Sequence, residues 1–202
     1  MKKIVTLLNQ RTLTSKQTKH LNFKTMKKSI WTLSAFAFSI LAASQAFAQN
    51  PKLSDPEVAH TAVTANQIDI GFAEIANKKS KNKEILKFAE TMTNDHKAVI
   101  GQAVALVTKL GVTPMDNAVS KQLLSDAANT KKMLLSKSAK DFDKAYIDNE
   151  VSYHKAVIGA VEDLLIPETE NAELKELLQN VVPALKTHLA HAEMVQKMFM
   201  GK

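Results

Sequence analysis

The sequence predicts an all-α protein: a four-helix bundle whose middle connection is a long crossover carrying a short extra helix. Three observations predict it. From Asp55 onward apolar residues recur three and four apart, with no sustained period-two alternation. Ala, Leu, Lys and Glu, all good helix formers, are abundant in the same region. One hexapeptide occurs twice, each time inside a long apolar stripe.

The first 48 residues are of another kind. Lys27 and Lys28 precede an apolar run from Ile30 to Ala43, and Ala46-Phe47-Ala48 has the small-x-small pattern that a signal peptidase accepts. Residues 1–48 therefore read as an N-terminal extension plus a signal peptide. Residues 1–25 carry six basic side chains and no acid, which places the expected true start at Met26. Cleavage after Ala48 leaves residues 49–54 as a short linker and 55–200 as a single helical-bundle domain, expected to be soluble in the periplasm. No other segment approaches the ~20 apolar residues of a membrane span, so no integral membrane segment is expected after cleavage. An uncleaved leader acting as a tether is the competing reading.

Removing the leader changes the charge. Eight of the 27 basic residues precede Ala48 and all 20 acids follow it, so the mature chain has 19 basic and 20 acidic side chains. It contains no Arg, and a nucleic-acid partner is not expected. The absence of Cys removes thiol catalysis, disulfides and iron–sulfur ligation, leaving stability to the hydrophobic core.

The first helix is expected at Ser54-Asp55-Pro56-Glu57, with Pro56 where its missing donor costs little. Its stripe is Val58, Ala62, Ala65, Ile68, Phe72 and Ile75. After a turn near residues 77–82, the second helix carries Ile85, Phe88, Met92, Val99, Ala103, Leu106 and Leu110 until Gly111 and Pro114 end it. A shorter helix spans about 119–135 with Leu123, Leu124, Met133 and Leu134. The next starts near Asp141, buries Phe142, Tyr146, Val157, Val161 and Leu165, and closes at Pro167. The last runs from Ala172 to about Phe199, with Pro183 predicting a kink or local break.

His96-Lys97-Ala98-Val99-Ile100-Gly101 recurs as His154-Lys155-Ala156-Val157-Ile158-Gly159, an offset of 58 residues that also aligns Phe88 with Tyr146 and Leu106 with Leu164. The second and fourth helices are thus counterparts. Two antiparallel helix pairs would be joined by the segment from Gly111 to Lys140, long enough to travel the length of a bundle. That is the ferritin-like connectivity; a plain up-down bundle with the third helix as a full member is the alternative.

Four motifs, in order, resemble a known family: Phe72-Ala73-Glu74-Ile75-Ala76; Lys87-Phe88-Ala89-Glu90-Thr91-Met92 leading to Asp95-His96; Asp141-Phe142-Asp143-Lys144-Ala145-Tyr146 followed by His154; and Val182-Pro183-Ala184-Leu185 followed by His188-Leu189. The chain resembles the bacterial exported domain of unknown function family DUF4142 over about residues 55–198. The resemblance implies a ferritin-like fold and no particular reaction.

Candidate site residues come from polar groups inside the apolar stripes. His96, His154 and His188 lie on three different helices, each at helical spacing from apolar neighbours. Glu150 is one turn before His154, and Glu74 could reach the same region from the first helix. Imidazoles and carboxylates converging from facing helices suit Fe, Mn, Zn or Cu. The same placement also fits a purely structural network, in which buried imidazoles satisfy one another and nearby acids. A complete di-iron centre is not expected. Its Glu-x-x-His spacing occurs only at Glu57 to His60, in the first turn of a helix, whereas Glu150 and His154 are four apart.

Hydrolase, glycosidase and nucleotide-dependent chemistry lack their motifs. The leading expectation is an exported, non-catalytic envelope or stress-related protein with an envelope protein partner or self-association. The alternative is a periplasmic metal-binding or metal-dependent redox protein using His and Glu within the bundle.

Overall fold

The computed structural model describes residues 52–200. The extension, the signal peptide with its cleavage site, and the first part of the linker lie outside them. The described residues form helices α1 (Asp55–Lys79), α2 (Lys83–Leu110), α3 (Ala118–Ser136), α4 (Ala139–Ala160) and α5 (Ala172–Lys197), and no strand occurs among them.

Each helix begins and ends for a local reason. At the start of α1 the Glu57 carboxylate accepts from the Ser54 backbone N–H at 2.9 Å and from its hydroxyl at 2.7 Å, occupying the acid of the one Glu-x-x-His motif as a cap. The Asn82 side chain caps α2, Asn117 caps α3, Ser138 caps α4 and Asn171 caps α5. Gly111 ends α2 in the left-handed region, at φ 65°, where a Cβ would be strained. Pro167 cannot donate to the carbonyl one turn behind it. Before it α4 widens into a π turn over Val161–Leu165, which leaves Val161, Leu164 and Leu165 all buried. The widened helix then ends in one short turn, Ile166–Glu168.

The pairing follows the repeat. α1 packs on α2 and α4 on α5, while α2–α5 and α1–α4 contacts close a four-helix bundle with α2 and α4 on one diagonal. The third helix lies on α1. Its first turn meets the start of α1, where the Asn117 amide donates to Glu57 O at 3.0 Å. Its far end meets the end of α1, where Lys79 Nζ donates to Leu135 O and Lys137 O. Thus α3 runs parallel to α1 along the bundle, and the long crossover is what allows α4 to descend in the same direction as α2. Within α3, Leu134 and Ala127 are buried, while Leu124 and Met133 face outward.

Asn117 does two jobs with one buried side chain: Oδ1 accepts from Ser120 N and Nδ2 donates to Glu57 O and Thr61 Oγ1. Asn117→Ala is expected to cost about 1–3 kcal/mol, the cap plus the partners left unsatisfied, read as a lower urea midpoint with unchanged slope.

Pro183 does not break α5. The position is exposed, and so is Gln179, whose carbonyl loses its intrahelical partner and can be solvated instead.

The core divides into two apolar clusters. One, including Phe72, Phe88, Met92, Phe142, Tyr146 and Val195, fills the end of the bundle where α2 and α4 begin. The other, including Val58, Ile158, Leu164, Leu174 and Leu178, fills the opposite end. The counterpart residues of the repeat meet across the first cluster, with the Phe88 and Tyr146 rings 6.2 Å apart and edge to face.

Candidate metal centre

Between the two apolar clusters lies one polar layer. Each inner helix contributes to it: Asp69 from α1, His96 from α2, Glu150 and His154 from α4, His188 from α5, all buried. The layer sits where the apolar stripes pause. Asp69 follows Ile68, His96 is one turn after Met92, His154 one turn before Ile158, and His188 falls between Leu185 and Ala192.

The three imidazoles form a triangle, with ring centroids 5.9 Å apart for His96–His154, 5.2 Å for His96–His188 and 5.6 Å for His154–His188. One nitrogen from each lies within 4.8 Å of the other two, and Asp69, Glu150 and His154 form a second such group. His154 belongs to both groups, which therefore adjoin within the one polar layer.

Neighbouring groups fix the tautomer of every ring. Asn66 Nδ2 donates to Ala62 O at 2.8 Å, which turns its Oδ1 toward His96 Nδ1 at 2.7 Å and makes that nitrogen the donor. His154 Nδ1 donates to the Glu150 carbonyl at 2.9 Å. His188 Nε2 donates to the Asp95 carboxylate at 2.9 Å. In the neutral rings the remaining nitrogens, His96 Nε2, His154 Nε2 and His188 Nδ1, carry the lone pairs, and each is buried with no hydrogen-bond partner.

Asp69 makes the arrangement electrostatically incomplete. One of its oxygens stands 3.0 Å from His96 Nε2 and 3.4 Å from His154 Nε2. With both rings neutral and their protons on the far side, these are acceptors facing acceptors. A proton can fill one such gap; a cation satisfies all of them at once. Both Asp69 oxygens and both Glu150 oxygens likewise lack a hydrogen-bond partner, and no Lys is buried among the described residues to balance them. Unsatisfied buried polar groups cost about 1–3 kcal/mol each, and unpaired charges more, so the layer is costly unless something neutralises it.

The protonation states of the histidines suit them to a metal, while Glu150 keeps a proton in the metal-free protein. Burial lowers the pKa of His154 and of His188, holding both rings in the neutral, ligand-competent form at neutral pH. Burial, reinforced by the neighbouring Asp69, pushes the Glu150 carboxyl well above the usual carboxylate range. The Tyr146 hydroxyl, buried and without a partner, is raised by burial and then by Glu150 and Asp69.

Of the residues singled out in the sequence, the structure brings together His96, His154, His188 and Glu150. It leaves Glu74 on the exposed face of α1, five residues and about 140° around the helix from the acid that does enter the layer. That acid, Asp69, was missed, as were the orienting groups Asn66 and Asp95. The available signal for Asp69 was a lone carboxylate between Ile68 and Ile70. The Tyr153 hydroxyl, beside the layer, donates to Ala65 O at 2.8 Å. His191, on the next face of α5, packs edge to face on Phe88.

Fold and site together define an all-helical bundle with a buried His, Asp and Glu cluster suited to binding a metal ion. The chain belongs to the family described as Domain of unknown function (DUF4142), whose model matches residues 41–195. Among solved structures it is similar to CopM in the Cu(II)-bound form, with a TM-score of 0.54 and 17% sequence identity, over 72% of this chain and 98% of that one. At that identity the likeness is one of fold. No curated protein matches the chain.

Proposed function

We propose that this domain binds one divalent transition-metal ion in the bundle core, and that it serves as a periplasmic metal-binding protein. The ligands would be His96 Nε2, His154 Nε2 and His188 Nδ1 with the Asp69 carboxylate, and Glu150, on giving up its proton, would balance the remaining charge. The observation that carries this reading is the set of three buried imidazoles with one nitrogen of each within 4.8 Å of the others, each ring also held by a hydrogen bond at one nitrogen and unpaired at the other. A surface-acting, non-catalytic envelope protein, the leading expectation from sequence, gives no account of a buried layer with so many unpaired acceptors. The metal-binding alternative does.

Three imidazoles and a carboxylate favour borderline ions, Cu(II) and Zn(II), over Ca(II) or Mg(II), and Cu(II) binds such donors most tightly of the divalent series. The fold likeness to a protein solved with Cu(II) supports copper as the first ion to try. An envelope location rests on the signal-peptide features of residues 27–48. Among the described residues no helix is long and apolar enough to cross a membrane.

Native mass spectrometry of tag-free protein from a periplasmic extract tests both parts of the proposal. The expected species begins at Gln49 and takes up a single Cu(II) or Zn(II) after stripping and reloading. An intact precursor, or no uptake above background for either ion, overturns the corresponding part.

A further inference from the structure

The end of α5 carries a second set of donor side chains, chemically unlike the buried layer. Met194 is 52% exposed, Met198 45%, and Met200, in the turn that follows, 70%. A single exposed apolar residue needs no explanation. Three thioethers within seven residues at one helix end do, because each leaves about half or more of its surface open to solvent.

Helical register joins two of them to an imidazole. Met194 and Met198 stand three and seven residues after His191, which places all three within an arc of about 60° on one face of α5. The His191 ring is held by its edge-to-face contact with Phe88, at 5.1 Å between centroids. Among the described residues its nitrogens have no hydrogen-bond partner. Met194 and Met198, four apart, are neighbours on the helix surface, and their unbranched side chains can close around a small ion.

We propose that His191, Met194 and Met198 form a surface site for a soft monovalent cation, Cu(I), distinct from the buried centre. Thioether sulfur is a soft, uncharged donor that selects Cu(I) and offers little to Zn(II), Mn(II) or Mg(II). The position adds a second attraction: Met198 is the C-cap of α5, where the last helical carbonyls carry partial negative charge and favour a cation. Met200 lies close enough in sequence to supply a further thioether from the terminal turn. The two sites therefore sort ions by hardness, with nitrogen and oxygen donors inside the bundle and sulfur donors on its surface.

The test uses Ag(I) as a redox-inert probe of the same softness, titrated into the full mature protein by calorimetry in a buffer free of halide and thiol. Wild type, His154→Ala and the double variant Met194→Leu/Met198→Leu are compared. Leucine at exposed helical positions preserves helix propensity and leaves the core untouched, so the double variant should melt with the wild type. Wild type and His154→Ala are expected to share one Ag(I) site of equal affinity, and the double variant to lose more than about tenfold at that site. The 13C-labelled methyl signals of Met194 and Met198 should shift on Ag(I) addition while that of buried Met92 stays in place. Unchanged Ag(I) affinity in the double variant overturns the proposal, as does Ag(I) binding abolished by His154→Ala, which would place the ion in the core. Because the readout is the methionine pair, the result is independent of whether the buried centre takes a divalent ion.

Discussion

Metal-stripped protein given a slight excess of Cu(II) or Zn(II) should become markedly harder to unfold, and His154→Ala should lose that gain. The ion can be held only where α1, α2, α4 and α5 come together, since no two of the three histidines share a helix. It therefore binds the folded state and not the unfolded chain, and stabilises by linkage. At free ion near 100 times the dissociation constant the gain is about 2.7 kcal/mol, which for a domain of this size raises Tm by roughly 5–10 °C. His154 is the residue to remove because it belongs to both potential ligand groups. The substitution also leaves a buried cavity and lowers the stability of the stripped protein. The ion-dependent increment, measured within each variant by calorimetric melting, separates that cost from the loss of binding. An increment of wild-type size in His154→Ala would mean that the ion sits elsewhere.

The second large effect belongs to the metal-free protein and concerns Glu150. Its pKa is raised in the folded state by burial and by Asp69, so between the unfolded carboxylate value and the folded one the native protein holds a proton that the unfolded chain has released. Stability from this group is complete below the unfolded value. It is lost as pH rises toward the folded pKa, at about 1.4 kcal/mol per pH unit. His154 and His188 act in the opposite sense. Their lowered values mean that the unfolded chain protonates first as pH falls below the usual histidine range, so their contribution is lost on the acid side. Glu150→Gln removes the alkaline loss and keeps the acid one. In urea titrations with a chelator present, the variant should exceed wild type in stability at pH 8, with the gap closing toward pH 4.5. Parallel curves across that range would show that Glu150 does not carry the buried proton.

The helices were legible because their punctuation is local. Ser54 with Glu57, Gly111 and the Pro167 stop act within a few residues of themselves, and the structure uses each of them. The crossover was legible for a different reason. A repeated segment on the second and fourth helices implies counterpart helices, and a connection as long as residues 111–140 permits them to run in the same direction. Three site histidines could be found because an imidazole interrupts an apolar stripe. Glu74 and Asp69 show where this reasoning stops: the stripe of α1 is broad, and a carboxylate at its edge can turn inward or outward depending on what the other helices bring opposite it. Asp69 turns inward to face His96 and His154, neither of which is near it in sequence. The orienting roles of Asn66 and Asp95 depend on tautomers and amide orientation set by contacts across helices, and spacing alone does not encode them.

The central claim is that the buried imidazoles hold a metal ion together, and X-ray absorption at the metal edge of protein loaded with one equivalent of Cu(II) tests it most directly. Three lone pairs converging with the Asp69 carboxylate predict a nitrogen and oxygen shell with strong outer-shell scattering from about three imidazole rings. That scattering should fall when His96, His154 or His188 is replaced by Ala. A shell lacking imidazole scattering, or one unchanged in all three variants, would contradict the account and leave the histidines as members of a structural network.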